Sequence, residues 1–191
     1  MILEALRQLN WVDILVIILL FRICYIAMKN GVIVELFKLM GTLLAIFLAY
    51  HYYTSAADYL LDRFSIKAIP VEFLDFLVFA ILLPIGYLAC MLIRIAFFHL
   101  AKIETISLLN RWGGLALSIG RGILFVSLVT YMLAISTVTY LSDGVSNSYF
   151  GKATIKIAPA VYGALWNGII SKFMPQEQIN KNIEEVLNSL K

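Results

Sequence analysis

The chain has 191 residues, of which 62% are hydrophobic and 14% are charged, and its formal net charge is +3. Soluble globular domains are about 45–50% apolar and about 25% charged. This composition excludes an ordinary soluble domain and predicts a polytopic membrane protein. The sequence has no basic block and no aromatic motif of the RNA-binding type, which argues against a nucleic-acid partner.

Long apolar runs predict an all-α fold with four transmembrane helices in two antiparallel hairpins. Residues 1–11 lack a basic signal region, so we expect an interfacial segment followed by a retained first span. Pro84, near the centre of the third run, predicts a kink there. The expected spans, which together make a membrane domain over 12–141, are 12–28, 32–53, 71–100 and 113–141.

The residues after the fourth span predict an extracytoplasmic, amphipathic helical tail over 142–191. We expect a turn to about residue 151, an amphipathic helix over 153–173 and a last helix that begins at Pro175. Tyr162 and Trp166 on the apolar face are expected to anchor the tail to the membrane or to the core. Contact with a partner protein is the alternative.

Small residues at helical spacing predict close helix packing in the fourth span. Gly114 and Ser118 share one helix face, and such a face lets two helices approach closely in lipid. Gly122 extends the glycine-rich stretch, and Gly31 is expected to allow the tight turn between the first two spans.

Charges inside the apolar runs predict an intramembrane ion pair. Glu35 is the acid near the turn at 29–31, and an intramembrane arginine needs a partner. We expect Glu35 to bind Arg121, Arg22 or both, whereas the alternative is that the arginines extend to the lipid headgroups. An ion pair of this kind can fix helix register without a transport role.

The distribution of basic residues predicts the orientation in the membrane. Lysine and arginine are concentrated near the turn at 29–31 and the loop at 101–112, which therefore face the cytoplasm. Both termini are then extracytoplasmic. The basic residues on that side are Arg22, Lys29, Lys38, Arg94, Lys102, Arg111 and Arg121.

The pattern of reactive side chains predicts no catalytic, cofactor or metal site. The two histidines, His51 and His99, lie at opposite span ends, where they are expected to be solvated, and neither has metal-motif spacing. Asp13, Glu72 and Asp75 gather near the outer span ends, where solvated carboxylates are ordinary.

Three stretches of the sequence resemble the colicin V production (CvpA) family of bacterial inner-membrane proteins. Asn10-Trp11-Val12-Asp13 is similar to the family's Trp-x-Asp opening. Gly31 and Glu35 match the Arg-Gly-Phe-x-Arg-Glu hairpin, although Asn30 and Val34 replace its arginines. His51-Tyr52-Tyr53, which closes the second span, is also similar to family members. The pattern Arg-x-x-Gly-x-x-x-Gly-x-x-Arg-Gly fits residues 111–122, with Ser118 in place of the second glycine.

The resemblance implies four spans, an inner-membrane location and an extracytoplasmic C-terminus. It also links the chain to colicin V production, through export, and to envelope robustness. We therefore expect a non-catalytic accessory to toxin export or envelope homeostasis. The alternative is a small oligomeric channel or transporter whose intramembrane Arg and Glu side chains line a polar path. The expected partners are the lipid bilayer, a second copy of the chain, and export or envelope membrane proteins.

Overall fold

A computed structural model describes residues 9–64, 69–100 and 108–189. The described part is helical, with no strand, and four long helices form its body. They are α1 (Trp11–Ala27), α2 (Val32–Phe64), α3 (Val71–Leu100) and α4 (Leu108–Ala134). Most of the interfacial segment expected over 1–11, and parts of both expected polar loops, lie outside the described residues.

Of the helices in the described part of the chain, three are long and apolar enough to cross a membrane. Their spanning segments are Val32–Phe64, Val71–His99 and Trp112–Ala134. Helix α1 is shorter, at 17 residues, and has only two charged side chains, Asp13 and Arg22. A polytopic membrane fold is therefore supported for the described part of the chain.

The main packing pairs differ from the two hairpins that we expected. Helix α2 packs most extensively against α3, and α4 packs against both α2 and α1. Gly86 allows α3 to pack closely against α2, because a Cβ added to Gly86 would lie 2.6 Å from the Ala45 Cα of α2. Helix α1 therefore has α4 as its chief partner among the long helices, although its turn joins it to α2.

The bounds of two helices, α2 and α4, differ from the sequence-based expectation. Helix α2 continues to Phe64, so the first part of the expected loop at 54–70 is helical. Its apolar stripe continues there, with Ala57 fully buried. Helix α4 begins at Leu108 and ends at Ala134, earlier at both ends than the expected 113–141. The Ser136 side chain accepts a hydrogen bond from the Val138 amide at 3.2 Å, which forms a local turn after α4.

The tail consists of short helices rather than one amphipathic helix. After α5 (Thr139–Ser146), α6 (Tyr149–Thr154) and α7 (Ile157–Leu165), a π-helical turn covers Trp166–Ile170 and leads into α8 (Ser171–Phe173). The expected turn up to residue 151 is thus largely helical. The last helix, α9 (Asn182–Ser189), begins seven residues after Pro175 rather than at it.

Aromatic side chains form the centre of the core at one end of the bundle. Tyr50, Phe79 and Tyr131 have ring centroids 4.7–5.3 Å apart, and all three are fully buried. Tyr162 of the tail packs against Tyr50, and Trp166 is 6% exposed. The tail is therefore held by the core of the bundle through the residues that we expected to anchor it.

Candidate functional site

The turn between α1 and α2 is fixed by the start of α4. The Asn110 Oδ1 atom accepts a hydrogen bond from the Val32 amide at 2.7 Å, which satisfies a free donor in the first turn of α2. A Cβ on Gly31 would lie 2.5 Å from the Asn110 Nδ2 atom. Any larger residue at position 31 would therefore have to displace the Asn110 side chain, which holds the start of α2.

The small-residue face of α4 lies against this turn and against α1. A Cβ on Gly114 would be 3.1 Å from the Asn30 carbonyl oxygen. One on Gly122 would be 3.3 Å from side chains of Leu20 and Ile23. Ser118 is fully buried and donates to the Leu115 carbonyl at 2.9 Å, so its hydroxyl is satisfied within its own helix.

Glu35 is fully buried near the start of α2 and has partners from three segments. Its Oε1 atom accepts from Lys38 Nζ at 2.6 Å and from Asn30 Nδ2 at 3.0 Å. Arg121 Nη2 lies 3.1 Å from its Oε2 atom. The structure thus brings Glu35 together with Arg121, and it adds Lys38 and Asn30, which we had not predicted.

The contact between Glu35 and Arg121 is an ion pair without hydrogen-bond geometry. Among the described residues, neither Glu35 Oε2 nor Arg121 Nε has a hydrogen-bond partner, although both atoms are buried. Buried polar atoms usually have partners. At this end of the bundle, one buried acceptor and one buried donor therefore remain without a hydrogen bond from the described side chains.

Arg22 lies beside the pair but does not contact Glu35. Arg22, Lys38 and Arg121 line one cavity of about 370 Å³, together with apolar side chains of α1 and α4. Arg22 is exposed and has no ion pair within the described part of the chain. Three helices therefore place cationic side chains around one space, and two of these side chains, Lys38 and Arg121, pair with Glu35.

Sequence reasoning missed Lys38 and Asn30 as partners of Glu35, and only Lys38 had a signal in the sequence. Lys38 could have been found, because residues three apart on a helix are neighbours. Asn30 lies in the turn, so it had no periodic signal. Asn110, which binds the Val32 amide rather than Glu35, belongs to a stretch that we expected to be a loop. Pro84, the expected kink site, lines a separate apolar cavity of about 340 Å³ between α2, α3 and α4.

At the opposite end of the bundle, Asp13 joins the start of α1 to the tail. It is fully buried, and its carboxylate accepts from Ser148 Oγ at 2.6 Å and from the Phe150 amide at 2.7 Å. It also accepts from the Asn10 amide at 2.9 Å as part of a capping box. The expectation of a solvated outer carboxylate is wrong for Asp13, because the tail covers it.

His51 is also buried by the tail rather than solvated. Its Nδ1 atom is 2.9 Å from the Tyr162 hydroxyl, and its Nε2 atom pairs with Glu177. Asn180 donates to the Tyr50 carbonyl at 2.9 Å and to Thr54 Oγ1 at 3.2 Å. Burial raises the pKa of Tyr162, so its hydroxyl remains protonated at neutral pH. These bonds attach the segment after α8 to the C-terminal half of α2.

One protein family matches most of the chain. Its description is colicin V production protein, and the match covers residues 12–159. The chain belongs to the colicin V production family. The match begins at α1 and ends within α7, so it includes both the Glu35 cluster and the Asp13 contacts. No curated protein and no solved structure matches the chain.

The colicin V production family gives no residue-level chemistry for this site. Within the described residues, no group of three or more His, Cys, Asp or Glu side chains is arranged to hold a metal ion. The arrangement instead consists of two cross-links, one at each end of the bundle. Glu35 with Arg121 joins α2 to α4, whereas Asp13 with Ser148 joins α1 to the tail.

Proposed function

We propose that this member of the colicin V production family is a four-span protein of the bacterial inner membrane. Helix α1 is at the lower length limit of about 17 residues for a spanning helix, and its interior charge is Arg22. The turn at 28–31 and the start of α4 lie at one end of the bundle, while Asn10, the C-terminal half of α2 and the tail lie at the other. This arrangement supports the even number of crossings.

The side of the bundle that carries the turn at 28–31 faces the cytoplasm in this proposal. Lys29 and the cations of the nearby helix segments satisfy the preference of cytoplasmic ends for lysine and arginine. Both termini then lie outside the cytoplasm. Reporter fusions test this: a C-terminal alkaline phosphatase should be active, and an active cytoplasmic reporter at the same position would contradict it.

The molecular role that we infer is that of a non-catalytic accessory to toxin export or envelope homeostasis. The observation that carries it is the closed outer end, where Asp13, His51 and Asn180 hold the tail on the bundle. Such an interlocked end presents one fixed surface of short helices to another protein. Export should therefore depend on the docked tail rather than on a reactive group.

Toxin export in cells tests the accessory role. A strain without the protein should keep toxin inside the cell, with synthesis unchanged, and the wild-type chain should restore toxin to the medium. The variant Asp13→Asn, at equal membrane level, should restore less than wild type. Equal restoration by this variant, or loss of toxin synthesis itself, would contradict the proposal.

An oligomeric channel or transporter remains the second candidate function. The cavity lined by Arg22, Lys38 and Arg121 favours it, because polar groups in a bundle interior are typical of transport paths. Purified protein in liposomes distinguishes the two roles. Ion or solute flux with the protein alone supports the channel, whereas export that needs other membrane proteins supports the accessory.

A further inference from the structure

The cationic cavity, which α1, α2 and α4 line together with Tyr87 of α3, has more positive charge than the neighbouring Glu35 carboxylate neutralises. Lys38 and Arg121 share one carboxylate, that of Glu35, and Arg22 has no acidic partner among the described residues, so the three cations and one acid leave a net charge of about +2. Uncompensated charge away from water is unfavourable. The cavity is therefore suited to an anion.

The buried Arg121 side chain shows that this site is incomplete. It is 9% exposed, and its Nε atom has no hydrogen-bond partner among the described residues. Its Nη2 atom contacts Glu35 Oε2, so the guanidinium retains donors on another edge. The planar guanidinium group matches phosphate oxygens well because its donors are arranged as a fork.

The position of the other two cations fits an anion near the membrane surface. By helix rise, Arg22 lies about 8 Å from the end of α1, and Lys38 lies about 9 Å from the start of α2. The long side chains of both residues can reach towards the headgroup level. Basic pockets between membrane helices on the cytoplasmic side are the type that binds anionic lipid headgroups.

We propose that this cavity binds a phosphate group, held by Arg22, Lys38 and Arg121. The volume of about 370 Å³ is many times that of one water molecule, about 30 Å³, so a tetrahedral oxyanion fits with room to spare. Leu19, Ile23 and Phe125 line the same cavity and offer an apolar surface beside the charges. The phosphate belongs to an anionic lipid or to a soluble phosphate ion. The lipid source rests on the proposed membrane placement, whereas binding itself does not depend on the export role.

Purified full-length protein in a neutral detergent tests the proposal. The probes are phosphatidylglycerol, with diacylglycerol as the lipid that lacks a phosphate group, and inorganic phosphate, with chloride at equal ionic strength. Native mass spectrometry measures bound lipid, and the melting temperature measures stabilisation by either probe. Stabilisation by phosphatidylglycerol alone identifies a lipid headgroup, and stabilisation by inorganic phosphate identifies a soluble anion.

Two arginine variants decide whether the cavity is the binding site. Arg22→Gln removes a cation that has no ion pair and is exposed, so the fold should persist, and the apparent affinity should fall by about tenfold or more. Arg63→Gln makes the same charge change at the other end of α2 and should leave the affinity unchanged. Arg22→Lys should restore part of it.

Each of the following results would overturn the proposed phosphate site, and none of them bears on the proposed role in export. If neither phosphatidylglycerol nor inorganic phosphate stabilises the wild-type protein beyond its control, the cavity is not a phosphate site. If Arg22→Gln binds as wild type does, or Arg63→Gln loses as much affinity, the attraction comes from general surface charge. Toxin export is measured in cells, so its failure is a separate result.

Discussion

The Nη2 atom of Arg121 lies 3.1 Å from the Oε2 atom of Glu35, which joins the middle of α4 to the first turn of α2. Glu35 is fully buried, and its other oxygen accepts hydrogen bonds from Lys38 and Asn30. Removing one member of a buried ion pair leaves the other charge uncompensated. The cluster should therefore be sensitive to the charge of Glu35.

The first prediction concerns the loss of this charge. Glu35→Gln should lower the free energy of unfolding by about 3 kcal/mol, because Arg121 and Lys38 lose their shared anion. The measurement is thermal unfolding in detergent together with the level of folded protein in the membrane. Glu72→Gln is the matched control, since Glu72 is exposed at the start of α3, and it should change neither. An unchanged melting curve for Glu35→Gln would contradict a stabilising role for the pair.

The ion pair of Glu35 could be expected from the sequence, because the apolar runs contain few ionisable residues that could form one. Glu35, near the turn at 28–31, therefore had only a small number of basic residues as candidate partners. Which arginine is used depends on how α4 is rotated and how closely it packs. Those depend on Asn110, which has no sequence signal of its own, and on Gly114, whose close packing the sequence predicted without identifying the turn as its partner.

The docked tail could not be predicted for a different physical reason. The Asp13 partners Ser148 and Phe150 are far along the chain, and a carboxylate at a helix start is equally stable in water. The π-helical turn and the breaks in 153–173 also depend on contacts with the bundle, such as the Ala158 amide donating to Ser127 Oγ at 2.8 Å. Periodicity predicted that the apolar residues of the tail share one face, but it did not predict that this face packs against α2 and α4.

The second prediction uses two glycines that differ in their surroundings. Gly86→Ala should destabilise the protein by about 1–3 kcal/mol, because the new Cβ would lie 2.6 Å from the Ala45 backbone and push α3 away from α2. Gly120→Ala is the control, since nothing lies within 4 Å of its Cβ position. It should be neutral or stabilising, as alanine is the better helix former. Equal melting temperatures for the two variants would show that the α2–α3 contact is looser than described.

The third prediction concerns the bond between Asp13 and the tail. Asp13→Asn should weaken docking of α6 by about 2 kcal/mol, since hydrogen bonds to a charged acceptor are lost. The population of the undocked tail should rise about thirtyfold, which limited proteolysis and hydrogen exchange over 147–155 would measure. Asp143→Asn, at an exposed position on α5, is the control. A combined Asp13→Asn and Ser148→Ala variant should be less affected than the sum of the two single changes.

The fourth prediction is that docking of residues 174–189 on the bundle depends on the protonated Tyr162 hydroxyl. Burial raises the pKa of Tyr162 above its unfolded value of about 10. The folded state therefore holds this proton more tightly, so the stability that it contributes is complete below about pH 10 and is lost as the pH rises through the folded pKa. Hydrogen exchange is not suitable at such pH, so proteolytic release of residues 174–189 by an alkali-stable protease is the measurement.

The variant Tyr162→Phe separates this hydroxyl from the rest of the alkaline response. It keeps the ring against Tyr50 but removes the contact with His51 Nδ1 at 2.9 Å and the acceptor for the Asn180 amide at 3.4 Å. Release at neutral pH should be faster than in wild type, by about fivefold for a loss of about 1 kcal/mol. The rise in release between neutral and alkaline pH should be smaller in this variant. Tyr149→Phe, at an exposed ring, should behave as wild type at every pH; if it matches Tyr162→Phe instead, the hydroxyl of Tyr162 has no special part in holding the tail.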